Sequence, residues 1–128
     1  MTYTLTANHA ELEDDGFSLT LAFADENMGE SGYVMLQKGL QSDEQDKKFG
    51  FDKVHIEIGS QNKSGYGGIS RMVFSDAMLR IELNEKGQKF LQIENDVLID
   101  FSMTDPRLEE KLRQFSAAIE GEFPVEFK

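Results

Sequence analysis

Apolar and polar residues alternate along most of this chain. Phe17, Leu19, Leu21 and Phe23 occupy every second position, with Ser18, Thr20 and Ala22 between them. That period of two is the signature of a strand with one buried face. A looser alternation over Tyr3 to Glu13 predicts an opening strand, closed by an Asp14-Asp15-Gly16 turn. Tyr33 to Gln37 reads as a short third strand, and Phe51 to Ile58 as a fourth, with Val54, Ile56 and Ile58 on one face and His55 and Glu57 on the other. Ile69 to Phe74 follows, and after a turn at Ser75-Asp76 the residues Leu79, Ile81 and Leu83 alternate against Met78, Arg80 and Glu82. Asn84-Glu85-Lys86-Gly87 reads as another turn, and Phe90 to Phe101 as the last strand region, with Val97, Ile99 and Phe101 inward.

The period changes once. Leu108, Leu112, Phe115 and Ile119 fall on one helical stripe, preceded by Asp105 as cap and Pro106 in the first turn, and followed by Gly121. The fold expected is therefore α+β: a mainly antiparallel β-sheet of about six to eight strands with one C-terminal helix packed on it. A chain of 128 residues without repeats or low-complexity tracts reads as a single domain over 1–128.

Charge narrows the partners. Thirteen basic and 24 acidic residues give a net charge of −11, spread along the chain rather than gathered in a tail. Such a surface repels nucleic acid and anionic lipid, and it attracts a basic protein by long-range steering. With no cysteine, disulfides and thiolate metal sites are excluded. No apolar run approaches the length of a membrane span or a secretory h-region, so the expected location is cytoplasmic. The segments Asp25 to Gly32 and Gly39 to Gly50 read as acidic or charged exposed loops.

Little in the sequence points to catalysis, and the expectation is no catalytic residue, no cofactor and no metal. There is no Gly-x-Ser-x-Gly elbow, and of the only two histidines His55 reads as a solvated surface residue while His9 is less informative. The Asp43-Glu44-Gln45-Asp46 cluster lacks calcium-loop spacing. Gly65-Tyr66-Gly67-Gly68 is not followed by the Lys-Ser/Thr of a phosphate loop. The competing reading is a small acidic hydrolase using paired carboxylates on the polar sheet face; it requires a concave pocket and a carboxyl whose pKa is raised by burial.

The stretch between Ile58 and Ile69 is the most distinctive. Gln61 to Gly68 reads as a polar, glycine-dense loop of eight residues, longer than a hairpin needs. Its glycines permit close backbone approach, and its tyrosine is a residue type favoured at interface hot spots. We take Glu57, Gln61, Asn62, Ser64, Tyr66, Gly67 and Gly68 as the candidate partner-binding set, with Tyr66 presented outward.

These residues also carry a resemblance. Val54-His55-Ile56-Glu57-Ile58, then Gln61-Asn62-x-Ser64-Gly65-Tyr66-Gly67-Gly68-Ile69, then the strand Leu79 to Leu83, resemble the Immunity protein 10 family. So do Phe17 to Leu21 leading into Asp25-Glu26, the Tyr33 to Gln37 strand, and Ile99-Asp100-Phe101 ahead of the helix. The similarity runs from about Phe17 to Gly121. It implies a bacterial antidote from a polymorphic toxin system: a cytoplasmic protein, not an enzyme, that binds and neutralises a cognate toxin. The family's motifs are sequence signatures without catalytic residues, so the toxin's identity and the oligomeric state are left open.

Overall fold

The computed structural model describes residues 2–25, 32–40, 44, 48, 50, 52–104 and 107–128. Within them the chain forms β1 (Tyr3–Thr6), β2 (His9–Asp14), β3 (Ser18–Ala24), β4 (Tyr33–Gly39), β5 (His55–Ile58), β6 (Ser60–Tyr66), β7 (Ile69–Ser75), β8 (Met78–Leu83), α1 (Glu85–Leu91), β9 (Val97–Asp100), α2 (Leu108–Ala118) and β10 (Val125–Phe127). The class is α+β and mainly antiparallel, as expected. The strands, however, build two sheets rather than one: five strands in the order β1-β9-β8-β7-β10, and five in the order β2-β3-β4-β5-β6.

The predicted opening strand is the point where the chain changes sheet. Tyr3 to Thr6 run parallel to Val97 to Asp100, and the Ala7 amide still donates to the Asp100 carbonyl at 2.8 Å. The next amide, of Asn8, donates to Ala24 at 2.8 Å in the other sheet. A second parallel pairing, β10 with β7, closes the far edge of the first sheet.

Alternation places the core as the sequence indicates. Leu19, Leu21 and Phe23, Val34 and Leu36, and Ile56 and Ile58 are buried from the second sheet; Met72, Phe74, Leu79, Ile81, Leu83, Val97 and Ile99 are buried from the first. All belong to one hydrophobic cluster, and the Phe23 and Phe101 rings meet across it with centroids 6.3 Å apart. The helical stripe Leu108, Leu112, Phe115 and Ile119 is buried in the same cluster, against β2 and β3. Asp105 and Pro106, proposed to start this helix, lie outside the described residues, as do 26–31 and most of 41–49.

Two elements differ from expectation. The predicted Asn84 to Gly87 turn opens a second helix, α1. The Asn84 side-chain oxygen accepts from the Gly87 amide at 2.8 Å, satisfying one of the free donors of the first turn. Its side-chain nitrogen donates to the Gly67 carbonyl at 2.9 Å, tying the helix start to the end of β6. The strand expected over Phe90 to Phe101 is correspondingly short, Val97–Asp100 only.

The other difference is the glycine-dense loop. Ser60 to Tyr66 is the edge strand β6, antiparallel to β5, with the chain reversing at Gly59 in the left-handed region at φ +72°. The register shifts between Glu57 and Ile58, whose partners are Ser64 and Ser60, so 61–63 bulge out of the ladder. The surplus length is thus a strand and a bulge, not a free loop. A polar sequence suffices because an edge strand has one hydrogen-bonded neighbour and leaves its other edge to water.

Candidate functional site

The site follows from which face of β2–β6 the alternation leaves outside. Inward positions feed the core; the outward ones line up in rows across the strands. One row reads Glu11, Ala22, Met35, Glu57, Ser64; the next reads Glu13, Thr20, Gln37, His55, Tyr66. Tyr33 sits diagonally from Glu57 in the row beyond, beside Ala24 and His9. Among the described residues these paired outer positions carry three glutamates and no lysine or arginine. Helix α1 reaches β6 from the inner side, through Phe90 beneath Gly65, and α2 covers the inner side of β2 and β3.

Short polar links fix the centre of this face. The Tyr33 hydroxyl donates to Glu57 Oε2 at 2.5 Å. That bond, with burial and the carboxylate's charge adding to it, pushes the Tyr33 phenol up to about 12. Gln37 Nε2 donates to the Ser18 and Thr20 hydroxyls, each at 3.3 Å. The rings of His55 and Tyr66 lie 4.8 Å apart and tilted. His55 is therefore half-buried rather than solvated. Burial lowers its pKa despite the pull of Glu57.

The proton on Tyr33 gives a direct check. A phenol whose folded pKa lies above its unfolded value stabilises the fold below pH 10, and that contribution is lost as pH rises from 10 towards 12. A carbon-13 titration of the Tyr33 ring is expected to show ionisation near 12, returning towards 10 in Glu57→Gln.

The predicted binding residues divide into two groups. Glu57, Ser64 and Tyr66 stand on the outer face. Asn62 is exposed in the bulge, and Gln61 is described by its backbone alone. The glycines serve the packing of α1. Gly67 turns the chain at φ +70°. Gly68 is buried, and a Cβ there would meet the Phe90 ring and stand 2.7 Å from Gly87 Cα. Gly65 also packs on Phe90, whose Cδ2 would lie 2.7 Å from an added Cβ. Tyr33 and Met35 were missed as members of the face. Their signal was present, since they share the alternation phase that opposes the buried Val34 and Leu36.

The outer face of the other sheet contrasts with this one. There Arg71 bridges Glu82 at 3.4 Å and Glu126 at 2.8 Å, and Lys128 approaches Glu126 at 3.7 Å, so charge is largely cancelled.

A groove of about 490 Å³ runs between α2 and the end of the first sheet, floored by Phe74, Phe101, Leu108, Leu112 and Phe127, with Arg113 over the Phe127 ring at 4.2 Å. The hydrolase reading asks for a carboxyl raised by burial. Asp15 and Asp100 are displaced the opposite way, Asp15 held low by the amides of Ser18 and Phe17 and Asp100 by the amide and hydroxyl of Ser102. Among the described residues no three His, Asp or Glu side chains are grouped to hold a metal ion. No helix there is long and apolar enough to cross a membrane.

Compared with known families, the chain matches the family model described as Immunity protein 10 over residues 5–109. The match begins within β1, takes in the strands β2 to β9 and α1, and stops in the first turn of α2, before β10. No curated protein and no solved structure gives a significant match.

Proposed function

The chain belongs to the Immunity protein 10 family, and from that premise we propose that it neutralises a cognate toxin of a bacterial polymorphic toxin system by stoichiometric binding. The surface we assign to this is the outer face of β2–β6. The observation that carries it is the composition of that face: Glu11, Glu13 and Glu57 without basic partners in the paired rows, around Tyr33, Met35, His55 and Tyr66.

This combination suits protein docking. Uncompensated carboxylates speed the approach of a basic partner and repel nucleic acid and anionic membranes. Aromatic side chains at the centre provide durable contact area, because they are large and have few rotamers to lose, and the flexible Met35 thioether adapts to the opposing surface. The Tyr33–Glu57 bond, at 2.5 Å, and the His55–Tyr66 contact hold those side chains in place before the partner arrives, which lowers the entropy lost on binding. The partner is a basic toxin, no cofactor or metal takes part, the chain performs no reaction, and it acts in the cytoplasm of the cell that makes the toxin.

Co-expression tests this. Cells producing the toxin domain encoded beside this gene are expected to survive when the chain is present, and the two purified proteins to co-elute at a one-to-one ratio. Continued killing, together with no complex at micromolar concentration, would refute it.

A further inference from the structure

Three large apolar side chains stand exposed among the described residues: Phe17, 77% exposed; Met103, 67%; and Leu40, 42%. Single exposed apolar residues are ordinary on a protein surface. Phe17 and Leu40, however, stand together. The Leu40 amide donates to the Phe17 carbonyl at 2.8 Å, continuing the β3–β4 ladder one step past the pair Ser18 and Gly39. Both side chains belong to the inward phase of their strands, but at this step the strands have passed the end of the core, and water takes the place of the opposing sheet.

The turn that presents Phe17 is closed by its own carboxylates. Asp15 Oδ1 accepts from the amides of Phe17 at 2.9 Å and Ser18 at 2.8 Å. Asp14 Oδ1 accepts from Gly16 at 2.9 Å, and Gly16 takes φ +87°. A turn whose backbone is fixed in this way loses little main-chain freedom when a partner covers it. The same bonds hold the Asp15 carboxyl ionised well below neutral pH. The carboxylates of Asp14 and Asp15 thus put negative charge at the turn from which Phe17 projects.

This turn lies at the end of the sheet that carries His55 and Tyr66, since Ser18 and Gly39 are the step beyond the row Thr20, Gln37, His55, Tyr66. We propose that Phe17, with Leu40 beside it, is an apolar anchor that seats in a socket on a basic protein partner, locking down a complex that the acidic face first attracts. The proposal rests on the immunity reading above and deepens it: the partner is a protein surface with an apolar hollow ringed by lysine or arginine. An apolar centre within a charged rim is the arrangement in which truncating one aromatic side chain costs most affinity.

The test uses the full-length chain and the toxin domain encoded beside its gene, with affinity read by titration and the fold by melting temperature. Phe17→Ala is expected to weaken binding by roughly 30-fold or more, the loss typical of a hot-spot residue, mainly through faster dissociation. Phe17→Leu is expected to keep most of the affinity, and Met103→Ala all of it. Melting temperatures should not move, because Phe17 is largely exposed already. Unchanged affinity in Phe17→Ala, against a wild type that binds, overturns the anchor and leaves the immunity reading standing. A wild type that does not bind overturns both. A wild-type dimer in light scattering that Phe17→Ala dissolves would assign the tip to a second copy of this chain and overturn the proposal as well.

Discussion

Gly87→Ala is expected to destabilise the protein by about 3 kcal/mol or more, in the upper range for overpacking a closed core. Considered only as a helix substitution it should do the reverse, since alanine is the better helix former by about 1 kcal/mol. The sign is set by packing. Gly87 lies in the first turn of α1 and is buried against Gly68; a Cβ there would overlap the Gly68 carbonyl oxygen and stand 2.9 Å from its carbon. Those atoms are backbone, and the same carbonyl accepts from the Asn84 amide at 3.0 Å, so neither side can yield without breaking the junction. Thermal unfolding measures this: a fall of the order of 10 °C is expected for a domain of this size. Lys86→Ala, one residue earlier and exposed, should stay within about 0.5 kcal/mol of wild type. An unchanged melting temperature in Gly87→Ala would mean that α1 does not sit on β6 as described.

The second large effect is on association. Replacing Glu11 and Glu13 by lysine changes the charge of the outer face by four units at two exposed positions of the edge strand β2. Neither residue supports the core, so the fold should be retained. The association rate with a basic toxin is expected to fall by about tenfold or more at low salt, and its dependence on ionic strength to flatten or reverse. The corresponding reversal on the opposite sheet, Glu82→Lys, should disturb the Arg71 ion pair and change association little. Stopped-flow measurement over a salt series separates the two cases; equal effects from both faces would show that net charge alone, rather than this face, directs the encounter.

Much of the fold was legible because alternation survives wherever a strand has one buried face. Leu19, Leu21 and Phe23, or Leu79, Ile81 and Leu83, read directly as core. The C-terminal helix was legible for the same reason, at a different period. What escaped the sequence depends on contacts between distant segments. Nothing local in Tyr3 to Thr6 announces a parallel partner at Val97 to Asp100, and Val125 to Phe127 are too few to show a period.

The glycine-dense stretch misled for a physical reason. Gln61 to Gly65 contain no apolar residue, so no alternation appears, yet the backbone pairs as an edge strand. Its glycines mark where Phe90 and Gly87 press against it. The short helix that supplies them did leave a signal, Asn84 three residues ahead of Gly87 with Phe90 and Leu91 one turn further on. Of the candidate face, Glu57, Ser64 and Tyr66 were found through the distinctive segment. Tyr33 and Met35 were not, because their membership depends on β4 lying beside β5.

The measurement that bears most directly on docking through the outer face of β2–β6 is nuclear magnetic resonance mapping of the labelled chain titrated with its toxin domain. Side-chain signals of Tyr33, Met35, His55 and Tyr66 are expected to shift together and saturate at one equivalent, while those around Arg71, Glu82 and Glu126 on the other sheet stay in place. Shifts confined to the Arg71 side, with the Tyr33 and Tyr66 rings unmoved at saturation, would contradict the assignment.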